Sequence, residues 1–255
     1  MDKKMTSKLG DVSAITITSP DLDISLKYYQ KLGFVEIARN SFPFPWLQIS
    51  DGAVLIMLRL DKQPYCSLTY YVKNLDTVVG ELESLGIIFI QKPADHDMIR
   101  RFVFQSPDSL NISLVTFVDG FKQPQGPTAL TFSQNDFLDP AKYPNKVSGI
   151  FGEFAHPVID LDRSIEFWSS LGFTSVSKYE TPYPWAIVHD GVSIIGLHQT
   201  TSFDYPVITY FALDQKEKIE KLKLNGVTNY EDRGQGSIVL TTPEQQHINL
   251  FKIGM

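Results

Sequence analysis

A single cysteine, Cys66, stands in the chain. That excludes an intramolecular disulfide framework and any zinc site built on several thiolates. Alone, Cys66 reads as a small buried hydrophobe and not as a nucleophile. A basic stripe is missing as well. The chain carries 23 Lys and Arg against 29 Asp and Glu, for a net charge of −6, and its basic residues are scattered among acids apart from Lys3-Lys4 near the start. This balance excludes a duplex-binding surface. Long apolar runs are absent too. The longest, such as Ala53 to Leu58, are strand-length and far short of a membrane span. Residues 1–11 contain no apolar signal-peptide core. The expectation is a cytoplasmic protein whose partner is a small molecule, without nucleic acid or membrane. No Gly-rich phosphate loop, dinucleotide fingerprint, Ser-His-Asp order or pair of acid/base carboxylates is detectable.

What is present is a duplication. The segment Pro20-Asp21-Leu22-Asp23-Ile24-Ser25-Leu26 returns as Ile159-Asp160-Leu161-Asp162-Arg163-Ser164-Ile165. Leu32-Gly33-Phe34 returns as Leu171-Gly172-Phe173, and Phe42-Pro43-Phe44-Pro45-Trp46 as Thr181-Pro182-Tyr183-Pro184-Trp185. Asp21 and Asp160, Gly33 and Gly172, Trp46 and Trp185, and Asp51 and Asp190 are each 139 positions apart. The ends correspond as well: Ser106-Pro107-Asp108 with Thr242-Pro243-Glu244, and Asn111-Ile112-Ser113-Leu114 with His247-Ile248-Asn249-Leu250. Unbroken spacing of this kind marks an internal repeat. Between the copies, Pro124, Pro127, Pro140 and Pro144 punctuate a stretch that reads as an irregular linker. The expected division is a first module over 1–119, a linker over 120–149 and a second module over 150–255.

Within one copy, Ser13 to Thr18 alternates and is β-branched, a strand pattern. Ser19-Pro20-Asp21 then offers a helix start, Leu22, Leu26 and Tyr29 recur at helical spacing, and Gly33 supplies a stop. Phe34 to Ala38 and Trp46 to Ile49 read as strands. Asp51-Gly52 is a hairpin turn that returns through Val54 to Arg59. A strand over Thr69 to Val72 precedes a second helix with Leu75, Val78, Leu82 and Leu85 on one stripe before Gly86. Phe102 to Gln105 and Ile112 to Phe117 close the copy. The second copy repeats this order, with Ile219 and Leu222 on its second helix before Gly226. Strands and helices mixed within each repeat argue an α+β fold and not a doubly wound sheet. Asp21, Asp23, Asp160 and Asp162 look like acid pairs but stand at helix starts, where they act as caps and favour the dipole.

The strand followed by Asp-Leu-x-x-Ser, an aromatic pair and Leu-Gly-Phe resembles the common sequence of the vicinal oxygen chelate superfamily, the fold of glyoxalase I, extradiol dioxygenases and bleomycin-resistance proteins. Asp21-Leu22-Asp23-Ile24-Ser25 with Tyr28-Tyr29 fits that pattern, and Asp160-Leu161-Asp162-Arg163-Ser164 with Phe167-Trp168 fits it better. The Ser/Thr-Pro-acid turn resembles the family's Asp-Pro-Asp-Gly-Asn turn. The resemblance implies two tandem βαβββ modules of the glyoxalase/dioxygenase type, with curved sheets enclosing a cavity between the modules. It further implies that one chain builds the whole clamp, leaving monomer and homodimer both open.

Family enzymes hold a divalent metal with His, Gln or Glu. The resemblance places one ligand seven residues before the Asp of Asp-Leu, at Ala14 and Glu153. It places another on the last strand, at Ser113 and Asn249, and a third, used in dioxygenases, at Ser67 and Val207. The first copy therefore keeps no ligand, and the second keeps one carboxylate and one amide, short of the three or more donors a firmly held ion takes. Strand alternation adds His198 and His247 to the face of Glu153 and Asn249. Glu153, His198, His247 and Asn249 thus stand as a candidate non-standard metal set, against the reading that they line a wet cavity. No cofactor is expected on the first view and a divalent ion on the second. His156 is read as lying under a helix, His189 as an exposed turn residue and His96 as part of a solvated loop.

The duplicated Pro-x-Pro-Trp element starts equivalent strands with Trp46 and Trp185, on the face away from Leu47 and Ala186. Arg59, Tyr71, His198, Phe211, His247 and Phe251 join them as candidate ligand-binding residues, a concave apolar lining with a few polar anchors. Arg59 suits a ligand carboxylate or an aromatic ring. A core role for both tryptophans stands beside this reading. No catalytic residue is assigned and enzyme status stays open. Three functions compete: a small-molecule binder like the resistance-type members, for an aromatic or apolar ligand; a metal-dependent lyase or extradiol-type dioxygenase using the second copy; and a partner-binding protein without a ligand site.

Overall fold

The computed structural model describes residues 7–117, 119–234 and 236–252, so Lys3-Lys4 lies outside the described residues. The first half runs β1 (Val12–Ser19), α1 (Leu22–Lys31), β2 (Val35–Asn40), β3 (Trp46–Ser50), β4 (Leu55–Leu60), β5 (Cys66–Val72), α2 (Leu75–Ser84), β6 (Arg101–Gln105) and β7 (Asn111–Thr116). The second half runs β8 (Ile150–Pro157), α4 (Leu161–Ser170), β9 (Thr174–Tyr179), β10 (Trp185–His189), β11 (Ile194–His198), β12 (Val207–Ala212), α5 (Gln215–Leu224), β13 (Tyr230–Gly234), β14 (Ser237–Thr241) and β15 (His247–Lys252). Each half carries the expected βαβββ order and extends it: the first continues as β-α-β-β and the second as β-α-β-β-β. Pairing gives one seven-stranded sheet in the order β2-β3-β4-β1-β5-β7-β6 and one eight-stranded sheet in the order β13-β14-β15-β12-β8-β11-β10-β9. No described helix is long and apolar enough to cross a membrane.

The helices start where the acids stand. The Asp21 side chain accepts from the Asp23 and Ile24 amides, and that of Asp160 from the Arg163 amide. Asp23 pairs instead with Arg39 at 2.7 Å, and Asp162 with Lys178 at 2.6 Å. Gly33 follows α1 at φ 93°, and a Cβ there would stand 2.5 Å from Asn145 Oδ1, so both the dihedral and the space require glycine. The Phe42–Pro43 and Thr181–Pro182 bonds are both cis, so the repeat extends to backbone detail. Helix α2 corrects one expectation: Leu75, Val79 and Leu82 are buried, while Leu85 is 54% exposed because it stands one position past the last turn.

The linker is more structured than its composition implies. It holds a short helix α3 (Gln134–Phe137) and a 3-10 turn over Pro140–Lys142. Tyr143 is fully buried with Ile150 and Ala212, against Phe132 and Phe137. On α5, Lys218 is 2% exposed; its Nζ donates to the Lys146 carbonyl at 2.8 Å and stands 5.2 Å over the Tyr143 ring. Burial lowers the Lys218 pKa, with Asp214 at 3.5 Å pulling the other way.

By proximity the chain forms two compact units, and each draws on both halves. The first comprises 1–15, 66–123 and 155–206. Inside it, Tyr70 donates to Asp190 Oδ2 at 2.7 Å and to Ser193 Oγ at 2.9 Å, Ser13 Oγ donates to the Val192 carbonyl, and Ser164 donates to Asp108. The second comprises 16–65, 124–154 and 207–255. Inside it, Tyr210 donates to Asp51 Oδ2 at 2.6 Å and Ser25 donates to Glu244. The same two bonds therefore recur in both units: a strand tyrosine to a hairpin aspartate, and a helix serine to the acid of the Pro-acid turn.

Candidate functional site

The helices cover one face of each sheet. α1 packs on β2, β3 and β4, and α4 on β9, β10 and β11. Alternation then sends Leu47 and Ile49, both fully buried, toward α1, and leaves Trp46 and Gln48 on the other face. That helix-free face holds the residues of chemical interest.

In the first unit, two of the three positions the resemblance gives to metal ligands, Ser67 and Ser113, carry hydroxyls, and the third is Ala14. Ser67 and Thr69 share a hydrogen bond of 3.0 Å, and Ser113 donates to Ser67 at 3.4 Å; all three are buried. Thr69 is the direct partner of Ser113 in the parallel β5–β7 pair. Tyr71 packs edge-on against Phe121 at 4.7 Å.

The same unit contains an aromatic cluster around His198. Trp185 is the cross-strand partner of His198, and their rings lie parallel, 5.7 Å apart with 2° between planes. Tyr179 stacks on Trp185 at 4.4 Å, Phe203 meets His198 edge-on at 5.7 Å, and Tyr183 Oη lies 3.2 Å from His198 Nδ1. Such a stack fixes the imidazole plane and gives the cluster an apolar surface with a polar tip. Sequence reasoning named Trp185 and His198 but missed Tyr179, Tyr183 and Phe203, although Tyr183 sits inside the duplicated Pro-x-Pro-Trp element.

In the second unit, Arg59 takes the place equivalent to His198. Trp46 is its cross-strand partner, and its guanidinium stands 5.3 Å over Phe44 and 5.8 Å over Tyr65. Asp61 approaches it at 3.3 Å, so the guanidinium is already balanced by an acid on its own strand end. Further along the chain in the same unit, β12 and β15 pair in parallel, with Thr209 opposite Asn249 and Phe211 opposite Phe251. The two phenyl rings lie 6.2 Å apart. Glu153 stands on β8, the strand beside β12, and is 3% exposed. Thr209 is 1% exposed and its Oγ1 has no hydrogen-bond partner. It was missed because a threonine inside a strand reads as an ordinary β-former.

The other histidines separate. His156 is 3% exposed, and burial pushes its pKa down to about 4, against an opposing pull from Asp108. His189 is half-buried at the end of β10 and not exposed as a turn residue, and burial lowers its pKa. His96 is exposed. The Cys66 thiol is pushed up to about 12 by burial, the reverse of activation.

The donor set does not fit the divalent ion of the resembled fold. Ala14, Ser67 and Ser113 supply two neutral hydroxyls, and Glu153, Val207 and Asn249 supply one carboxyl and one amide. Among the described residues no three His, Cys, Asp or Glu side chains converge so as to hold an ion. Of the proposed ligand set, Glu153, His247 and Asn249 belong to the second unit and His198 to the first.

No protein-family profile matches the chain, and no curated protein does. Solved structures do. An extradiol ring-cleaving dioxygenase from Brevibacterium fuscum is similar at 12% identity and a TM-score of 0.63, over 97% of this chain and 73% of that one. Homoprotocatechuate 2,3-dioxygenase from Arthrobacter globiformis is similar at 11% identity and a TM-score of 0.64, over 98% and 82%. The 2,3-dioxygenase LapB from Pseudomonas sp. KL28 is similar at 14% identity and a TM-score of 0.60, over 98% and 94%. The TM-scores over nearly the whole chain establish a shared fold, and identities this low limit the likeness to the fold.

Proposed function

Because the chain has the vicinal oxygen chelate fold of the extradiol dioxygenases, we propose that it uses this fold to bind a small aromatic or apolar molecule without a metal, as resistance-type members of that superfamily do. The observation that carries the reading is the buried hydroxyl cluster of Ser67, Thr69 and Ser113, in which Ser67 and Ser113 stand at expected ligand positions and no member offers a charge to an ion. Aromatic surface supports it: Trp185 with His198, Trp46 with Arg59, Tyr71, Phe211 and Phe251 lie on helix-free faces. His247, half-buried at the start of β15, completes the proposed lining. The proposed setting is cytoplasmic, with a monomer or homodimer working on a small molecule and no membrane partner; the acidic balance of the chain argues against a nucleic-acid partner.

Tryptophan fluorescence tests the reading. Trp46 and Trp185 are half-buried, whereas Trp168 is fully buried and serves as background. Titration with a panel of aromatic compounds is expected to give saturable quenching that is reduced in Trp185→Phe. A flat response to every compound would overturn it. A second reading, a metal-dependent lyase or extradiol-type dioxygenase using Glu153, His198, His247 and Asn249, is favoured by the fold of the neighbours alone. It predicts a stoichiometric divalent ion and oxygen uptake with a catechol.

A further inference from the structure

Resting on the reading that the chain binds an organic molecule, we infer that the Trp46–Arg59 face of the β3–β4 hairpin takes an aromatic carboxylate. The hairpin register brings the residues together within one compact unit. Trp46 pairs with Arg59 and Gln48 with Met57, so all four side chains share the helix-free face, and Gln48 stands on the diagonal from Arg59, within reach of a long side chain. Gln48 is 2% exposed, and its Nε2 has no hydrogen-bond partner. A buried amide donor in that state is unfavourable until an acceptor reaches it. The repeat shows that the fold does not call for it. Gln48 and Ile187 are 139 positions apart, as are Arg59 and His198, so the second copy fills the first of these positions with a hydrocarbon. An amide donor beside a guanidinium belongs to the first copy alone.

The chemistry of this set points to an anion on a ring. The guanidinium stands 5.3 Å over Phe44, which is 37% exposed, and 5.8 Å over Tyr65. Packing on two rings holds its plane, and a planar fork of N–H groups matches a carboxylate. Among the described residues its one hydrogen bond runs from Nη2 to Asp61 Oδ2 at 3.3 Å. That is a single contact with a half-exposed carboxylate whose other oxygen accepts from the Gln63 amide, and such a pair is weak in water. The remaining N–H groups of Arg59, with those of Gln48, are donors in search of an acceptor. Trp46, Phe44 and Tyr65 give apolar surface to the body of the ligand. A ligand ammonium would meet repulsion from Arg59, and an uncharged ring would forgo the charge attraction.

Calorimetric titration of the full chain at neutral pH with phenylacetate, phenethyl alcohol and phenethylamine tests this, since the three carry one ring on a carboxylate, a hydroxyl and an ammonium. Phenylacetate is expected to saturate at one per chain, about tenfold or more tighter than the alcohol, with the amine giving no binding. Arg59→Met should bring the preference for carboxylate over alcohol down to about one, and Gln48→Met should reduce it by a smaller factor. Asp61→Asn should tighten phenylacetate about threefold, because it removes the competing acid. Opposite signs at Arg59 and Asp61 are the signature of a ligand carboxylate, whereas an ion pair that serves only the fold would give both variants the same sign. Asp61→Asn, at a half-exposed position, carries the test if thermal melting reports that Arg59→Met is unfolded. Equal affinity for the alcohol, preference for the amine, or a preference unchanged in Arg59→Met and Asp61→Asn would overturn the inference. If the three probes fail while the fluorescence panel finds another ligand, this inference falls and the binder reading stands; if both fail, both fall.

Discussion

His156 is a histidine held neutral by its surroundings. Burial, the largest influence, brings its pKa from the usual 6.5 to about 4. As pH falls from 6.5 toward 4, the unfolded chain takes up a proton at this position and the folded chain does not. Stability therefore falls with pH through that window, by on the order of 3 kcal/mol at its foot. His156→Leu should flatten this slope, and urea midpoints at several pH values between the two limits would measure it. Equal acid sensitivity of the parent and the variant would contradict the assignment. The position was legible as buried from strand alternation, since it falls on the opposite face from Glu153. Its neutrality was not legible, because desolvation depends on what packs over the ring. The same division applies to Trp46 with Arg59 and Trp185 with His198. Their cross-strand pairing follows from the hairpin and the repeat, whereas Tyr65 and Phe203 reach them from loops whose path no periodicity reports.

Each Asp-Gly turn does two jobs at the scale of elements. Asp51 caps its own turn, with Oδ1 accepting from the Ala53 and Val54 amides, while Oδ2 accepts from Tyr210 of β12. Asp190 likewise accepts from the Val192 and Ser193 amides and from Tyr70 of β5. The turn was evident in the sequence from Asp-Gly between strands. The tyrosine bond was invisible because its partners are 120 and 159 positions apart. Tyr70→Phe should cost about 1–3 kcal/mol by leaving buried Asp190 one donor short. Tyr210→Phe should cost a similar amount, and the two losses, lying in different compact units, should nearly add in chemical denaturation. A loss below about 0.5 kcal/mol in both, typical of an ordinary surface change, would remove these bonds from the account. Gly152→Ala tests the β8–β12 contact separately. The added methyl would meet the Phe211 ring, and overpacking of this kind costs about 1–3 kcal/mol.

The whole molecule carries a repeat in sequence and an interleaving in space. Because each compact unit takes strands from both halves, residues 1–119 expressed alone lack Asp190, Ser193 and Ser164, the partners of Tyr70 and Asp108. That half is expected to melt without cooperativity by circular dichroism and to regain structure when mixed with 120–255. A sharp transition from the first half alone would contradict it. The α+β class, the two modules and the family resemblance were all readable from the 139-residue spacing and the Leu-Gly-Phe and Asp-Leu-x-x-Ser segments. The ligand was not readable, because no motif in either copy specifies one and the residues that differ between the copies, such as Arg59 and His198, fit several ligand chemistries. The central claim is that this fold here serves ligand binding without a metal. Elemental analysis of the purified protein after incubation with excess iron(II) and manganese(II) tests it most directly. The account predicts far less than one equivalent of either metal, with the same value for Glu153→Gln; one full equivalent that disappears in Glu153→Gln would contradict it.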